Sequence, residues 1–446
     1  MTDSKSHYDK MTKTPLAKLI ISLGIPTTIS MLVTNIYNMV DTYFVGTLGE
    51  SPQAATGILF TLQAIIQAFA FMLGQGSGTM VSKALADRNE DEASEYVSTA
   101  FFTGVGLGLL LMAGGLLFLN PFMRLLGSTE TILPYARQYG ICVLASCPFA
   151  IGSFVINNNL RYEGKAFYAM IGLVTGGLLN IFGDYILISI FRLGVLGAGI
   201  STAVSQVISF LILLYFFRKM AQSSIKLSAF SKKAAVFLTI ARVGFPALIR
   251  QGLSSVSNGL LNNLTRPYGD AAIAAMSVVN RFSAFVMCVG LGIGQGYQPV
   301  ASFNYQAKEY DRVKKGLLIT MGVGLLFVAC LAVPGLVFSR QIVYLFQKSE
   351  EVIVIGSFAL RCACVGILFL PLSVPVNMLF QSIRKPGMSS FLSLLRSGLM
   401  FIPTLIITTR FWGITGIQVS QPLADILTGL VSLPFVVVFL RKKEFK

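Results

Sequence analysis

Charged residues are scarce in this chain, at 12% of its 446 residues. Ordinary soluble domains carry about 25% charged residues, so a soluble globule of this length would lack the polar surface to cover itself. Hydrophobic residues make up 54% of the sequence, and the mean hydropathy is +0.72. The composition predicts a polytopic membrane protein and excludes soluble enzymes, nucleic-acid binders and disordered proteins.

Residues that carry catalytic or metal chemistry are also rare. The one histidine, His7, falls in a polar N-terminal tail. The six cysteines lie in apolar stretches without metal-ligand neighbours, which is typical of buried free thiols. There is no Walker A motif, because the glycine-rich stretch Gly74–Gly78 ends an apolar helix rather than following a strand. We therefore expect no enzymatic activity, and any pumping must draw on an ion gradient or an external partner.

Apolar segments long enough to cross a bilayer as helices occur twelve times. They lie at about 17–45, 54–81, 96–119, 134–158, 166–190, 195–217, 241–265, 271–300, 316–338, 352–381, 389–410 and 414–440. Of the 35 Lys and Arg, 24 lie in segments on the N-terminal side, six on the opposite side and five inside spans. This bias predicts that both termini are cytoplasmic, and it explains the net charge of +16 without nucleic acid.

The two halves of the chain repeat each other at a constant spacing. The matching pairs are Gly24 and Gly244, Pro26 and Pro246, Gly74 and Gly294, Gly76 and Gly296, Asn157 and Asn377, and Lys165 and Lys385. We predict an all-α membrane protein with twelve transmembrane helices in two six-helix pseudo-symmetric lobes. The N-lobe is 1–217, the C-lobe is 241–446, and a cytoplasmic linker at 218–240 joins them. Parallel repeats of this kind are typical of transporters that work by alternating access.

Only three of the nineteen acidic residues fall inside predicted spans: Asp41, Asp184 and Asp425. An ionisable side chain there costs ~2.5–3.5 kcal/mol on insertion scales, so each is expected to have a partner or a function. Asp425 in span 12 shares its half of the chain with two intramembrane cations, Arg396 and Arg361. Charges inside a bilayer tend to pair, so we predict a structural ion pair among these three residues.

The other two acids each have polar neighbours on the same helical face. Tyr37 precedes Asp41 by four residues in span 1, and Asn180 precedes Asp184 by four in span 5. With Thr202 of span 6 they could supply the oxygen ligands that a hard cation such as Na⁺ requires. Two facing carboxylates could equally share a proton, or each could pair locally for packing.

Further polar residues lie in span 7 and at the start of span 8. They are candidates for a substrate cavity, although long side chains near an interface can also snorkel to water: Arg250, Gln251, Asn258, Asn280 and Arg281.

In their order and spacing these motifs resemble those of the multidrug and toxic compound extrusion (MATE) transporters. The matching stretches are 40–46 (VDTYFVG), 74–76 (GQG), 180–184 (NIFGD), 197–203 (GAGISTA) and 294–299 (GQGYQP) followed by Asn304 and Tyr305. The resemblance covers about 15–440. It implies a plasma-membrane monomer that exports amphiphilic, mostly cationic drugs in exchange for Na⁺ or H⁺, with membrane lipids around it and no other cofactor.

The resemblance also implies an ion site. Family members with such a site in the N-lobe take the ligands from helices 1, 5 and 6, which here match Tyr37, Asp41, Asn180, Asp184 and Thr202. Na⁺ is one candidate ion, held by Asp41, Asn180 and Asp184, and H⁺ is the other. Relatives with acids on helices 7 and 10 differ from this chain, which has no acid in the interior of either span.

Three other functions compete with drug export. A lipid-linked oligosaccharide flippase of the same superfamily would suit the intramembrane arginines, but not the paired N-lobe acids. A major-facilitator transporter also has two six-helix halves, but its usual motif between helices 2 and 3 is absent from 82–95. A membrane-embedded enzyme would need a catalytic cluster inside the spans, and the sequence places none there.

Overall fold

The computed structural model describes residues 2–441, which are almost entirely helical. The α-helices in chain order are α1 Thr2–Lys13, α2 Leu16–Gly46, α3 Glu50–Ala86, α4 Glu90–Leu117, α5 Leu119–Leu125, α6 Leu133–Tyr162, α7 Ala166–Asp184, α8 Gly194–Met220, α9 Ala234–Thr265, α10 Asp270–Gln306, α11 Tyr310–Val337, α12 Ser339–Phe346, α13 Glu350–Ile367, α14 Leu370–Ser382, α15 Pro386–Leu394, α16 Phe401–Trp412 and α17 Ile414–Arg441. Two π-helical turns extend these helices: Tyr185–Ile190 follows α7, and Leu395–Met400 joins α15 to α16.

The predicted fold class is confirmed. Among the described residues, eleven helical segments are long and apolar enough to cross a membrane. The pair α13 and α14 makes a twelfth span if it is counted as one broken helix, bent by 47°. The sequence predicted a single span at 352–381, which the structure divides between α13 and α14 at this bend. Pro371 in the first turn of α14 accounts for it, because proline has no N–H to donate to the carbonyl oxygen of Ile367, the last residue of α13.

The N-terminal segment differs from the predicted polar tail. It forms the helix α1, in which His7 and Met11 are buried. Asn304 Nδ2 donates a hydrogen bond to the Met11 carbonyl oxygen at 3.1 Å. Arg312 Nη2 donates to the Thr14 carbonyl oxygen at 2.7 Å. These long-range contacts hold a segment whose own composition is polar, so the local sequence did not reveal them.

The chain packs as two compact units. One contains Ile29–Gln251 and a short segment ending at His7, and the other contains Tyr8–Thr28 and the chain from Gly252 onward. The boundaries fall inside α2 and α9, so each of these helices is divided between the two units. The first part of α2 belongs to the second unit and the rest to the first, and for α9 the order is reversed. The lobes at 1–217 and 241–446, which follow chain order, stay a prediction.

Glycines allow α2 and α9 to pack against helices of both units, because a glycine lets two backbones approach closely. In the first unit α9 crosses α3, and a Cβ atom on Gly76 would lie 2.1 Å from the Ile240 carbonyl oxygen. In the second unit α2 crosses α10, and a Cβ atom on Gly296 would lie 2.5 Å from Gly24 Cα. Gly76 and Gly296 are one of the pairs related by the internal repeat. The repeat in the sequence is therefore the same helix crossing made once in each unit.

A second repeated contact joins the helices that follow. Asn157 Nδ2 donates to the Ala169 carbonyl oxygen at 2.9 Å, and Asn377 Nδ2 donates to the Ser389 carbonyl oxygen at 2.7 Å. Both the donor and the acceptor are shifted by the spacing of the repeat, so this spacing holds through the second half of each repeat.

The helix crossing predicts that Gly244→Ala destabilises the protein. A Cβ atom on Gly244 would lie 1.9 Å from the Met72 carbonyl oxygen, so the backbones must separate, at a cost of about 1–3 kcal/mol. Gly252→Ala in the same helix is the matched control, because nothing lies within 4 Å of its Cβ position. We expect thermal unfolding of the purified proteins to occur at a lower temperature for Gly244→Ala only. Equal midpoints would show that the crossing tolerates a side chain.

The segment between α8 and α9 is tied to the first unit. Three backbone N–H groups of this segment donate to hydroxyl oxygens of α4, at 3.0–3.1 Å: Ser224 to Ser94, Lys226 to Ser98 and Ser231 to Thr99. At the end of α6, the buried Glu163 carboxylate accepts from the Gln222 N–H at 2.5 Å and from the Ser223 hydroxyl. Burial raises the pKa of Glu163 from 4.5 to about 7, against the opposing effect of these hydrogen bonds.

This carboxyl predicts a pH dependence of stability. The folded protein holds the Glu163 proton up to about pH 7, whereas the unfolded chain releases it near 4.5. The contribution of Glu163 to the free energy of unfolding is therefore greatest below pH 4.5 and falls as the pH rises to 7, by roughly 3 kcal/mol at most. Glu163→Gln keeps the shape without the titration, so its unfolding midpoint should change less between pH 5 and 8 than that of the wild type. Parallel curves for the two proteins would contradict this assignment.

Candidate functional site

The five residues predicted for the ion site lie together in the first unit. Tyr37 and Asp41 are on α2, Asn180 and Asp184 on α7, and Thr202 on α8. Both carboxylates are buried, with 2% of Asp41 and none of Asp184 exposed.

Small residues bring these three helices close together. A Cβ atom on Gly177 of α7 would lie 2.7 Å from Val33 Cγ1 and 3.1 Å from Tyr37 Cδ1 of α2. A Cβ atom on Gly183 of α7 would lie 2.4 Å from Ser201 Oγ of α8. The glycines of the 180–184 stretch and its neighbours therefore serve the site by allowing α7 to pack tightly between its partners.

Asn180 connects α7 to α8. Its Nδ2 group donates to Thr202 Oγ1 at 3.2 Å and to Ser201 Oγ at 3.3 Å. The Ser201 hydroxyl in turn donates to the Asn180 carbonyl oxygen at 2.9 Å. These bonds hold the two helices together at the level of the acids.

A sixth residue, Tyr139 of α6, completes the cluster. Its hydroxyl donates to Asp41 Oδ2 at 2.7 Å and lies 3.3 Å from Thr202 Oγ1. The side chain is 1% exposed. Tyr139 is not among the residues predicted from the sequence, because a single tyrosine in an apolar span gives no local signal. Only the packing of α6 against α2 and α8 identifies it.

Several oxygen atoms of the site accept no hydrogen bond. They are Asp41 Oδ1, Asn180 Oδ1 and both carboxylate oxygens of Asp184. The two carboxyl groups interact electrostatically with each other, and neither forms a salt bridge with Lys or Arg within residues 2–441. A buried negative charge without a cation is costly, so this set of oxygens suits a bound cation or a shared proton.

The chemistry of the donors narrows the choice of ion. Within the described part of the chain, no group of three or more His, Cys, Asp or Glu side chains could hold a metal. Two carboxylates, one amide oxygen and a hydroxyl suit a hard monovalent cation or a proton better than a soft transition metal.

A small cavity adjoins the site inside the same unit. Its volume is about 50 Å³, enough for an ion or a very few water molecules. Tyr37, Asn180 and Thr202 form part of its wall. Ser153 and Gln206 also line it, and Ser153 Oγ and Gln206 Oε1 have no hydrogen-bond partner in the described structure. Asp41 and Asp184 are not part of the wall, so the cavity is joined to the acids through Tyr37, Asn180 and Thr202.

The candidates for the substrate cavity are divided between the two units. Arg250 and Gln251 belong to the first unit, where Arg250 Nη2 donates to Gln75 Oε1 at 3.2 Å. Asn258, Asn280 and Arg281 belong to the second unit, and of these Asn258 and Arg281 are exposed. Their contact with a substrate stays a prediction.

The second unit brings together two of the three residues predicted for an ion pair. Arg396 Nε donates to Asp425 Oδ1 at 2.8 Å. Gln421 Nε2 donates to the same oxygen at 3.0 Å. Arg361 is directed elsewhere, since its Nε donates to Ser339 Oγ at 2.8 Å.

The Tyr139 contact predicts a measurable loss of stability on Tyr139→Phe. A hydrogen bond to a carboxylate contributes about 1.5–3 kcal/mol, roughly twice as much as a neutral one. The control is Tyr297→Phe, because the buried Tyr297 hydroxyl donates at the same 2.7 Å to a neutral acceptor, the Val313 carbonyl oxygen. In thermal unfolding at pH 7.5, we expect Tyr139→Phe to lower the midpoint more. A larger effect of Tyr297→Phe would indicate that Asp41 does not accept this bond as an anion.

Comparisons with known proteins agree with this geometry. The MatE family model matches the chain twice, at residues 26–186 and 246–407. The first residues of the two matches are as far apart in the sequence as Gly76 and Gly296, which form the repeated helix crossing. The multidrug export protein MepA of Staphylococcus aureus (strain MSSA476) is 26% identical over 448 residues, covering 99% of this chain and 98% of MepA.

Solved structures share the fold over almost the whole length. A MATE protein in complex with MaL6 superposes with a TM-score of 0.91 at 24% identity, over 98% of this chain and 99% of that one. An outward-facing multidrug resistance MATE transporter of the MOP superfamily gives 0.91 at 23% identity, over 97% and 98%. With the family model matched in both halves, this chain belongs to the MatE family and is an integral membrane transporter rather than an enzyme.

Proposed function

We propose that this protein is a secondary active antiporter that exports amphiphilic, mostly cationic drugs in exchange for Na⁺ or H⁺. The observation that carries the proposal is the pair of buried and interacting acids, Asp41 and Asp184, three of whose four carboxylate oxygens accept no hydrogen bond. Such a site has a high affinity for a small cation or a proton. The relatives called multidrug export proteins support drugs as the exported substrate.

In this mechanism each residue of the site has a separate task. Asp41 and Asp184 bind the coupling cation or proton. Asn180 and Thr202 provide neutral oxygens, and the bond between them holds α7 against α8. Tyr139 orients Asp41 by donating to one of its oxygens and leaves the other for the ion.

Coupling follows from the position of the acids on α2 and α7. An ion or proton neutralises the repulsion between the two carboxylates and so favours the arrangement of helices in which they are close. The drug must favour the other arrangement, because a ligand shifts an equilibrium only through its different affinities for the two states. Ion entry and drug exit are then linked through one conformational equilibrium.

Both candidate ions suit the donor set, and they differ in what they need from it. Na⁺ requires several oxygens at once, so Asn180 and Thr202 would contribute directly. A proton requires only the carboxylates, so the amide and the hydroxyl would serve packing. We propose further that the protein works as a monomer in the plasma membrane, with both termini in the cytoplasm, where the Lys and Arg excess of the loops would place them.

The test is ethidium accumulation in bacterial cells that lack their own efflux pumps. We expect cells with the wild-type protein to accumulate much less dye than cells with Asp41→Asn or Asp184→Asn, because each substitution removes one charge at constant shape. Asp270→Asn is the matched control, since Asp270 is an exposed acid at the start of α10. Protein amounts in the membrane fraction are measured for every variant.

The ion is identified in the same assay. If removal of Na⁺ at constant pH abolishes wild-type efflux, Na⁺ is the coupling ion. If efflux persists without Na⁺ and stops when a protonophore is added, H⁺ is. Efflux that survives in both site variants would show that the carboxylates are structural. A wild-type protein that exports no cationic dye would contradict drug export and favour the lipid-linked flippase.

A further inference from the structure

Arg396 is placed where a cation is expensive. It lies in the helical segment Pro386–Trp412, ten residues after its start and sixteen before its end, and so near the middle of a span. At this depth an ionisable side chain faces a protein interior or a watery cavity rather than lipid. It therefore needs compensation, which Asp425 supplies.

The pairing uses only a small part of the guanidinium. Of the five N–H groups on the Arg396 side chain, Nε–H donates to Asp425 Oδ1. Within residues 2–441, Nη1 and Nη2 of Arg396 donate no hydrogen bond. Exposure is equally uneven, since 21% of the Arg396 side chain is accessible and only 2% of the Asp425 side chain. The accessible part of the pair therefore belongs to the arginine, while the carboxylate is buried.

The repeat relates this pair to the cavity of the first unit. The positions that match Arg396 and Asp425 in the first half are Gly176 and Ser205, which both line that cavity. Thr34, Tyr37 and Gly177 of the same wall correspond to Ser254, Ser257 and Ser397. These serines are also in contact: Ser254 Oγ lies 3.5 Å from Ser397 Oγ, and Ser257 Oγ donates to the Ser397 carbonyl oxygen at 2.6 Å. The second unit thus has a polar cluster in the equivalent place, with different chemistry.

The backbone at this place is irregular. Arg396 and Ser397 lie in the π-helical turn Leu395–Met400, which interrupts the α-helix between α15 and α16. Single π-helical turns within helices are frequent at functional sites, because they redirect side chains and leave backbone groups less tightly paired.

We propose that the open edge of Arg396 binds the carboxylate of zwitterionic substrates. Two guanidinium N–H groups side by side match a carboxylate in a bidentate arrangement. The resting pair with Asp425 is neutral overall. A simple anion would add an uncompensated charge inside the membrane, whereas a zwitterion brings its own cation. The predicted class is therefore amphiphilic molecules that carry both a carboxylate and an amine or iminium, and this inference rests on the proposed export of drugs.

A purely structural ion pair explains the contact with Asp425 but leaves the rest of the guanidinium unused. A lysine would give the same charge with fewer donors to satisfy. The unused donors and the accessible side chain are what the substrate subsite explains and the structural pair does not.

The test compares two dyes that differ by one methyl group. Rhodamine 110 has a free carboxylate on a cationic ring system, and rhodamine 123 is its methyl ester. Binding of each to the purified full-length protein in lipid nanodiscs is followed by fluorescence anisotropy. We expect the wild type to bind rhodamine 110 about tenfold more tightly relative to rhodamine 123, as one charge-assisted contact allows.

Variants show whether the preference for rhodamine 110 depends on Arg396. Arg396→Gln should reduce the ratio of the two affinities to about one while rhodamine 123 still binds. Arg361→Gln is the matched control, because it removes another arginine of the second unit that bonds to Ser339, and it should leave the ratio unchanged. If Arg396→Gln leaves Asp425 without its partner and fails to fold, the double variant Arg396→Gln, Asp425→Asn removes both charges and gives the same test.

Equal affinities of the two dyes in the wild type overturn the proposal, and so does a preference that survives Arg396→Gln. Loss of the preference in Arg361→Gln as well would show that it depends on overall charge rather than on this subsite. The ethidium assay in cells separates this result from the wider function. Absent ethidium export with an Arg396-dependent preference would reject drug antiport and keep the carboxylate subsite, whereas export without the preference would do the reverse.

Discussion

The cost of a charge inside the bilayer is the constraint on which this structure depends. Each intramembrane acid is held by a few defined groups, and the two units meet the cost differently. In the first unit, Asp41 and Asp184 interact with each other, and Tyr139 donates a hydrogen bond to Asp41. In the second unit, Asp425 is neutralised by Arg396 and bonded by Gln421. In the proposed mechanism the first arrangement takes up a cation or a proton, whereas the second already contains its own cation.

The two units therefore share their helix packing but differ in the charged groups that they contain. The close crossings at Gly76 and Gly296 and the bonds from Asn157 and Asn377 are repeated at a constant spacing. These contacts involve glycines and backbone carbonyls, so they constrain the positions of the helices and leave other side chains free to diverge. A duplicated scaffold with one unpaired acidic site suits a transporter in which one unit responds to the ion.

The helix α2 has a special place in this frame. Its beginning packs in the second unit, and Asp41 near its end belongs to the first. Pro26 lies inside it just before that division and has no N–H to donate. In the proposed mechanism, a change of charge at Asp41 would act on a helix that contributes to both units. The linker bonded to α4 and Glu163 fixes the chain on the first unit before the other shared helix, α9, begins.

The sequence by itself determined the membrane character, the repeat and most of the helices. The reason is that the hydropathy and length of a segment, which are local quantities, decide whether it can cross the bilayer as a helix. The sequence also identified Asp41, Asp184 and their neighbours Tyr37 and Asn180, since an acid in an apolar run is conspicuous and residues four apart share a helical face. It did not reveal Tyr139, the docking of α1, the bend before α14 or the separation of Arg361 from Asp425. These depend on which helices touch and on how side chains from distant segments meet. The open edge of Arg396 belongs with them, because the number of donors left unused is decided only when the helices are packed.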